Sequence, residues 1–267
     1  TLTPNPTHSM LSRATILTAA LLTAATSPAF AQTTETERAA AREILAEIDA
    51  PPGSMTLIDE ARAKAIYAKM GPATEMSGGS VANTVAGFAN LGGSTAYIGK
   101  VRDDQLGRIF NHDMKSLGVD IRLQKSADGA PTARSHVLIT DDGQRTMQTY
   151  LGACLELGVA DITEDTLGSP KAILLEGYVW DIAEGPALAR KAVDIARRNG
   201  TAVALSLSDS FCVERHRDSF EEFVRDGVDI VVADEHVITV PAMKNVIVAS
   251  RMTLAGERRI ETQEDRG

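Results

Sequence analysis

The sequence predicts an α/β fold: a doubly wound, mostly parallel sheet interrupted by a small β-hairpin. Three observations predict it. From residue 53 onward, short apolar runs alternate with amphipathic helical stretches, a spacing that requires crossover connections and parallel strands. The run KAILLEGYVW reads as a continuous apolar strand, and with TAVALSLSDS and DIVVADE it gives the strand, helix, strand order of a parallel sheet buried on both faces. Between them and the N-terminal half, SHVLIT and RTMQTY flank DDGQ, a hairpin signature with Asp142-Gly143 as its turn. With 43% hydrophobic residues in 267, the chain can bury a sizeable core in one large domain or two small ones.

Each element follows in order. From Met10 the chain reads MLSRATILTAALLTAATSPAFAQ, with Arg13 as a positive start, an apolar run over 16–25, and Ala29-Phe30-Ala31 before a cleavage point at Gln32. Residues 1–31 are therefore expected to be a signal-peptide-like segment directing export; their apolar run is too short for a stable membrane span. A helical linker, 32–52, carries the charged periodic stretch ETERAAAREILAEI and stops at Pro51-Pro52-Gly53. The main domain is expected over 53–240. Within it, helices are predicted at 57–70, at 80–91 with a Gly92-Gly93 C-terminal cap, and over DDQLGRIFNHDMKSLGV; STAYIGKV is a strand between the last two. The hairpin region occupies 120–150. Beyond it, strands over 171–180, 201–210 and 229–235 alternate with helices over ALARKAVDIARRNG and EEFVRDGV. Residues 241–267 form a divergent, charged tail.

A net charge of -9 argues against nucleic acid as a partner, since phosphate-binding faces are basic. Two cysteines, Cys154 and Cys212, are too few for a disulfide framework and are read as buried thiols, and nothing near either suggests a metal cluster. In wound sheets, ligands sit beyond the carboxyl ends of the strands, the position predicted for Glu176-Gly177, Ser208-Asp209 and Asp234-Glu235. The stretch SGGSVANTVAGFANLGG admits two readings. Gly78-Gly79 is either a plain loop ahead of an N-cap at Ser80, or a place where backbone amides and the Asn83 carboxamide meet a ligand that a Cβ would block.

In this order, GGSVANTVAGFANLGG, YIGKVRDDQLGRIF, DGQRTMQTYLGAC, EGYVWD, LSLSDSFCVERHRDSF and DIVVADE resemble the ribokinase-like (PfkB) family of carbohydrate and nucleoside kinases, with the closest look to bacterial adenosine kinases. The resemblance covers about residues 53–236. It implies a ribokinase-like fold whose hairpin is a lid that excludes water from phosphoryl transfer. It implies that Gly78, Gly79 and Asn83 bind a sugar or nucleoside, with Arg145 either touching it or standing as a solvated charge at the strand end. It implies ATP and Mg²⁺ as cofactors, with Asp209 (otherwise a helix N-cap), Asp234 and Glu235 on the cofactor side. The family is cytoplasmic, which conflicts with the export-like start, and the exposed strand edge of the lid suggests a homodimer.

The chain also departs from the family. No Gly-x-x-x-x-Asp strand end precedes residue 53, the Asn-x-x-Glu element reads Asp234-Glu235-His236-Val237, and no Gly-Ala-Gly-Asp segment follows 237. That last element supplies both anion hole and base, so no catalytic residue is assigned. The expectation is ATP-dependent phosphorylation of a primary hydroxyl of adenosine or a related sugar, impaired in a truncated chain. The alternatives are a non-catalytic sugar or nucleoside binder and a truncated or fused kinase fragment. A faint likeness of 33–49 to exported metallopeptidases is set aside, because the five histidines are scattered.

Overall fold

The computed structural model describes residues 35–233. The signal-like segment 1–31, residues Asp234 and Glu235, and the tail 241–267 lie outside the described residues. The chain divides into two compact units, Thr1–Glu156 and Leu157–Gly267. Parallel strands are present as the sequence predicts, distributed among the described residues over three sheets of three, two and three strands.

In the first unit, helix α1 (Glu35–Glu47) leads into β1 (Met55–Leu57) and helix α2 (Glu60–Tyr67). The helix expected over 57–70 is shorter because Asp59 caps it, its carboxylate accepting from the Arg62 amide at 2.7 Å, while Met55 to Leu57 pair in parallel with Met147 to Thr149. Helix α3 (Ser80–Asn90) closes as predicted: Gly93 N–H donates to Phe88 C=O at 2.8 Å and Gly92 N–H to Ala89 C=O at 2.9 Å, the paired bonds of a Schellman motif. Strand β2 (Ala96–Arg102), helix α4 (Gln105–Ser116) and β3 (Asp120–Ser126) make one strand–helix–strand unit with β2 and β3 parallel.

Strands β4 (Arg134–Ile139) and β5 (Arg145–Tyr150) form the predicted antiparallel hairpin, with β1 added parallel to β5. Its turn is held by Asp142, whose carboxylate accepts from the Thr140 hydroxyl at 2.6 Å and the Gln144 amide at 3.2 Å. Alternation along β4 and β5 buries His136, Leu138, Thr146 and Gln148. Ala41, Ile44, Leu45, Ala50 and Ile66 complete that core with Leu138, so α1 is a packed element of this unit. A second cluster joins Ala82 of α3 to Met114 of α4 and Val119 ahead of β3.

The second unit runs α5 (Glu164–Leu167), β6 (Ala172–Glu176), a 3₁₀ turn Gly177–Asp181, α6 (Gly185–Arg198), β7 (Ala202–Ser206), α7 (Ser210–Gly227) and β8 (Ile230–Val232). Its sheet is parallel throughout, in the order β6-β7-β8. Two details differ from expectation. The strand expected through 180 stops at Glu176, where the chain turns into a 3₁₀ segment over Gly177–Asp181; Gly177 passes so close to the Leu207 carbonyl that a Cβ would lie 2.8 Å from its oxygen. Helix α7 begins eleven residues before the predicted EEFVRDGV, since its charged first half gives little apolar periodicity. Helix α6 buries Leu188, Ala192 and Ile195 against this sheet, while Phe220 and Phe223 of α7 enclose Trp180.

Candidate functional site

In the first unit the predicted residues gather at the start of α3. Gly79 is the N-cap, at φ +108°, a conformation that residues with a Cβ rarely adopt. Its carbonyl accepts from the Asn83 amide at 2.8 Å, closing the first helical turn. No side chain caps this helix, and Ser80, one reading of the cap, is instead its first helical residue. The leading amides of α3 thus have no intrahelical acceptors and face outward. Gly78 has open space where a Cβ would be. The Asn83 side chain is exposed and unpaired among the described residues. Together these form an open cradle of donors, positive by the helix dipole, suited to hydroxyl oxygens or an anion.

The cradle rests on α4. Ser77, one residue before it, donates to the Asp113 carboxylate at 2.7 Å. Arg145 stands apart at the beginning of β5, opposite Ile139, with an exposed side chain. No described contact joins it to the cradle.

In the second unit, polar residues collect at the carboxyl ends of β6 and β7. Glu176 closes β6 half-buried, without a hydrogen-bond partner among the described residues, and burial pushes its carboxyl up to about 7. Ser208 follows β7 at φ +65°, a left-handed conformation unusual for serine, and its hydroxyl is buried without a partner among the described residues. Asp209 caps α7, one carboxylate oxygen accepting from the Cys212 amide at 2.7 Å and the other from the Tyr178 hydroxyl at 2.5 Å. Burial and then that bond to Asp209 push the Tyr178 phenol upward, so it stays a donor. Burial likewise pushes the Cys212 thiol up to about 12, so it is an inert core thiol. Strain and unmet polar groups at strand ends are features of ligand sites in wound sheets.

Asp209 is thus both the predicted helix cap and a strand-end carboxylate with lone pairs left over. No group of three or more potential metal ligands occurs among the described residues. Mg²⁺ needs no such cage, since it is held by one or two carboxylates and the phosphates it accompanies, and Asp209 suits that role. The other two residues predicted for the cofactor side, Asp234 and Glu235, lie outside the described residues. The sequence places Glu176 and Ser208 at strand ends but reads Tyr178 as part of a strand, whereas it lies in the 3₁₀ turn after β6. The signal for them was EGY after an apolar run and Ser-Asp after another.

Polar groups at the carboxyl ends of parallel strands, and a helix start open to a ligand, define a small-molecule-binding protein of the wound α/β class. The chain belongs to the pfkB family of carbohydrate kinases, whose pattern matches residues 58–239. It is 46% identical to an adenosine kinase structure from Sinorhizobium meliloti, with a TM-score of 0.70 over 76% of this chain and 62% of that one. A probable sugar kinase from Rhizobium etli is 42% identical, with a TM-score of 0.71 over 78% and 63%. A 5-dehydro-2-deoxygluconokinase of Clostridium perfringens is 33% identical over 129 residues, 47% of this chain and 38% of that protein. The chain therefore spans less than two thirds of each of these relatives. No described helix is long and apolar enough to cross a membrane.

Proposed function

We propose that the cradle of Gly78, Gly79 and Asn83 binds a hydroxyl-bearing group of adenosine or a related sugar, the acceptor in ATP-dependent phosphorylation of a primary hydroxyl. The observation that carries this reading is the uncapped start of α3, entered through Gly79 at φ +108° with the Asn83 carboxamide exposed one turn on. Glycine is an accepted N-cap, and here it leaves the first amides of α3 without a side-chain acceptor, free for a ligand. The names of its relatives, adenosine kinase, probable sugar kinase and 5-dehydro-2-deoxygluconokinase, support a sugar or nucleoside as the substrate class.

On the cofactor side, Asp209, with Asp234 and Glu235, would hold the metal that accompanies the nucleotide. ATP with Mg²⁺ supplies the activated phosphoryl group. Of the chain's own residues, the cradle orients the acceptor and the hairpin excludes water as a lid. A homodimer through the lid is part of the same reading: Leu57, Val137 and Met147 are exposed on β1, β4 and β5.

Among the described residues no group is placed to take the hydroxyl proton. A second reading therefore stands beside the first: a sugar- or nucleoside-binding chain without turnover. Calorimetry with adenosine, ribose and fructose, followed by a coupled kinase assay on the full chain, separates them. Binding of adenosine with ATP-dependent turnover supports the kinase; binding without turnover supports the binder. No binding by any of the three refutes the cradle's assignment.

A further inference from the structure

Helix α7 is kinked. His216 takes φ −121°, ψ 21° inside it, so the first turns, which carry the Asp209 cap, run in a different direction from the rest. The 3₁₀ turn Gly177–Asp181 contacts α7 on both sides of the kink. Asp181 accepts from Arg215 Nε at 3.2 Å, from Arg215 Nη2 at 2.8 Å and from His216 Nε2 at 2.7 Å. Its carboxylate can only accept, so Nε2 of His216 carries the proton. The Asp181 side chain is 13% exposed; burial alone would raise its carboxyl, but the bonds from Arg215 and His216 outweigh this and hold it below the ordinary range.

Beyond the kink, Trp180 donates to the Ser219 hydroxyl at 2.8 Å and packs on Phe220 and Phe223, ring centres 4.7 and 4.8 Å away. Before the kink, Tyr178 of the same turn donates to Asp209. One five-residue turn therefore fixes the helix at its cap, at its bend and one turn past the bend. A straight α7 would break at least one of these contacts.

We propose that Asp181 is a positioning residue: by pairing with Arg215 and His216 it holds the bend that directs Asp209 and Ser208 to the ends of β6 and β7. It touches no ligand itself. A partly buried carboxylate accepting a forked guanidinium and an imidazole is stiff where a lone surface pair would not be. The proposal rests on the assignment of Asp209 to the cofactor side made above.

The test compares wild type, Asp181→Asn, Asp181→Ala and Asp209→Asn in the full chain. Three readouts are needed: amide hydrogen exchange over 209–216, Trp180 fluorescence, and the affinity for ATP with Mg²⁺ by calorimetry. Trp180 is the single tryptophan of the chain, so its emission reports on the turn alone. Asp181→Ala is expected to speed exchange at the Cys212 amide at least tenfold, shift Trp180 emission, and weaken ATP about tenfold. Asp181→Asn, which keeps an acceptor, should recover part of each effect. Unchanged Cys212 exchange in Asp181→Ala, or an ATP affinity that stays put while only the melting temperature falls, overturns the proposal. If wild type binds no ATP, the assignment of Asp209 fails by itself, and the exchange data alone decide for or against Asp181.

Discussion

The cradle at the start of α3 and the cluster at the ends of β6 and β7 are built in opposite ways. The first is made of backbone amides and one exposed carboxamide, with open space at Gly78 and no side chain covering it. The second is made of side chains taken out of water: a half-buried Glu176, an unpartnered Ser208 hydroxyl in a left-handed conformation, and Asp209 fixed by two donors. A backbone site needs little desolvation, and at Gly78 it can be altered without disturbing the fold. A side-chain site of this kind stores strain and unpaired polarity, so its alterations differ in sign and size from residue to residue.

The largest contrast is between two glycines. Gly177→Ala drives a methyl to 2.8 Å from the Leu207 carbonyl and 2.9 Å from the Ser208 hydroxyl. Backbone must shift, and a loss of about 3 kcal/mol is expected in urea unfolding followed by Trp180 fluorescence. Gly78→Ala meets open space, and its stability should change by less than about 0.5 kcal/mol. Equal effects of the two would dissolve the distinction drawn between the sites.

The next contrast is in pH. Glu176 has its carboxyl raised to about 7 by burial, so between its unfolded value of 4.5 and about 7 the folded state keeps a proton that the unfolded chain releases. Its contribution is favourable at low pH and is lost as pH rises through 7, up to roughly 3 kcal/mol. His136 of the first unit is lowered by burial, which outweighs its bond to the Ala63 carbonyl. Its contribution is present above the unfolded value of 6.5 and is lost as pH falls through its folded value. Acidification is thus expected to favour the second unit and weaken the first at these residues. Unfolding curves from pH 5 to 8, with Glu176→Gln and His136→Phe as controls, check both signs.

Smaller effects follow. Gly79→Ala, at φ +108°, should cost about 1–2 kcal/mol through backbone strain alone. Ser208→Gly relieves a left-handed serine and removes a buried unpaired hydroxyl, so it should leave stability unchanged or raise it by about 0.5 kcal/mol. A marked loss in a thermal melt would mean that Ser208 has a structural partner after all.

Much of this was legible in the sequence because the local signals were strong. Gly92-Gly93 after an apolar helix and Asp142-Gly143 between alternating runs each have one favoured conformation and adopt it, while of the two readings of Asp209 the helix cap is seen. The limits of β6 and α7 were not legible, since they depend on tertiary neighbours: Gly177 on the Leu207 carbonyl, and the bend at His216 on Asp181, thirty-five residues away. The cradle was legible as a pair of readings only. Sequence shows that Ser80 is able to cap; geometry puts the cap at Gly79 and leaves the helix start open. The polar state of Glu176 was invisible, because a lone carboxylate at a strand end reads alike whether it is solvated or buried.

The central claim is that the open start of α3 receives the ligand's hydroxyl oxygens. It is tested most directly by titrating adenosine into wild type, Gly78→Ala and Asn83→Ala by calorimetry, with melting temperatures recorded alongside. The account predicts that wild type binds and that each variant loses at least tenfold in affinity at an unchanged melting temperature. Full affinity in both variants would contradict it.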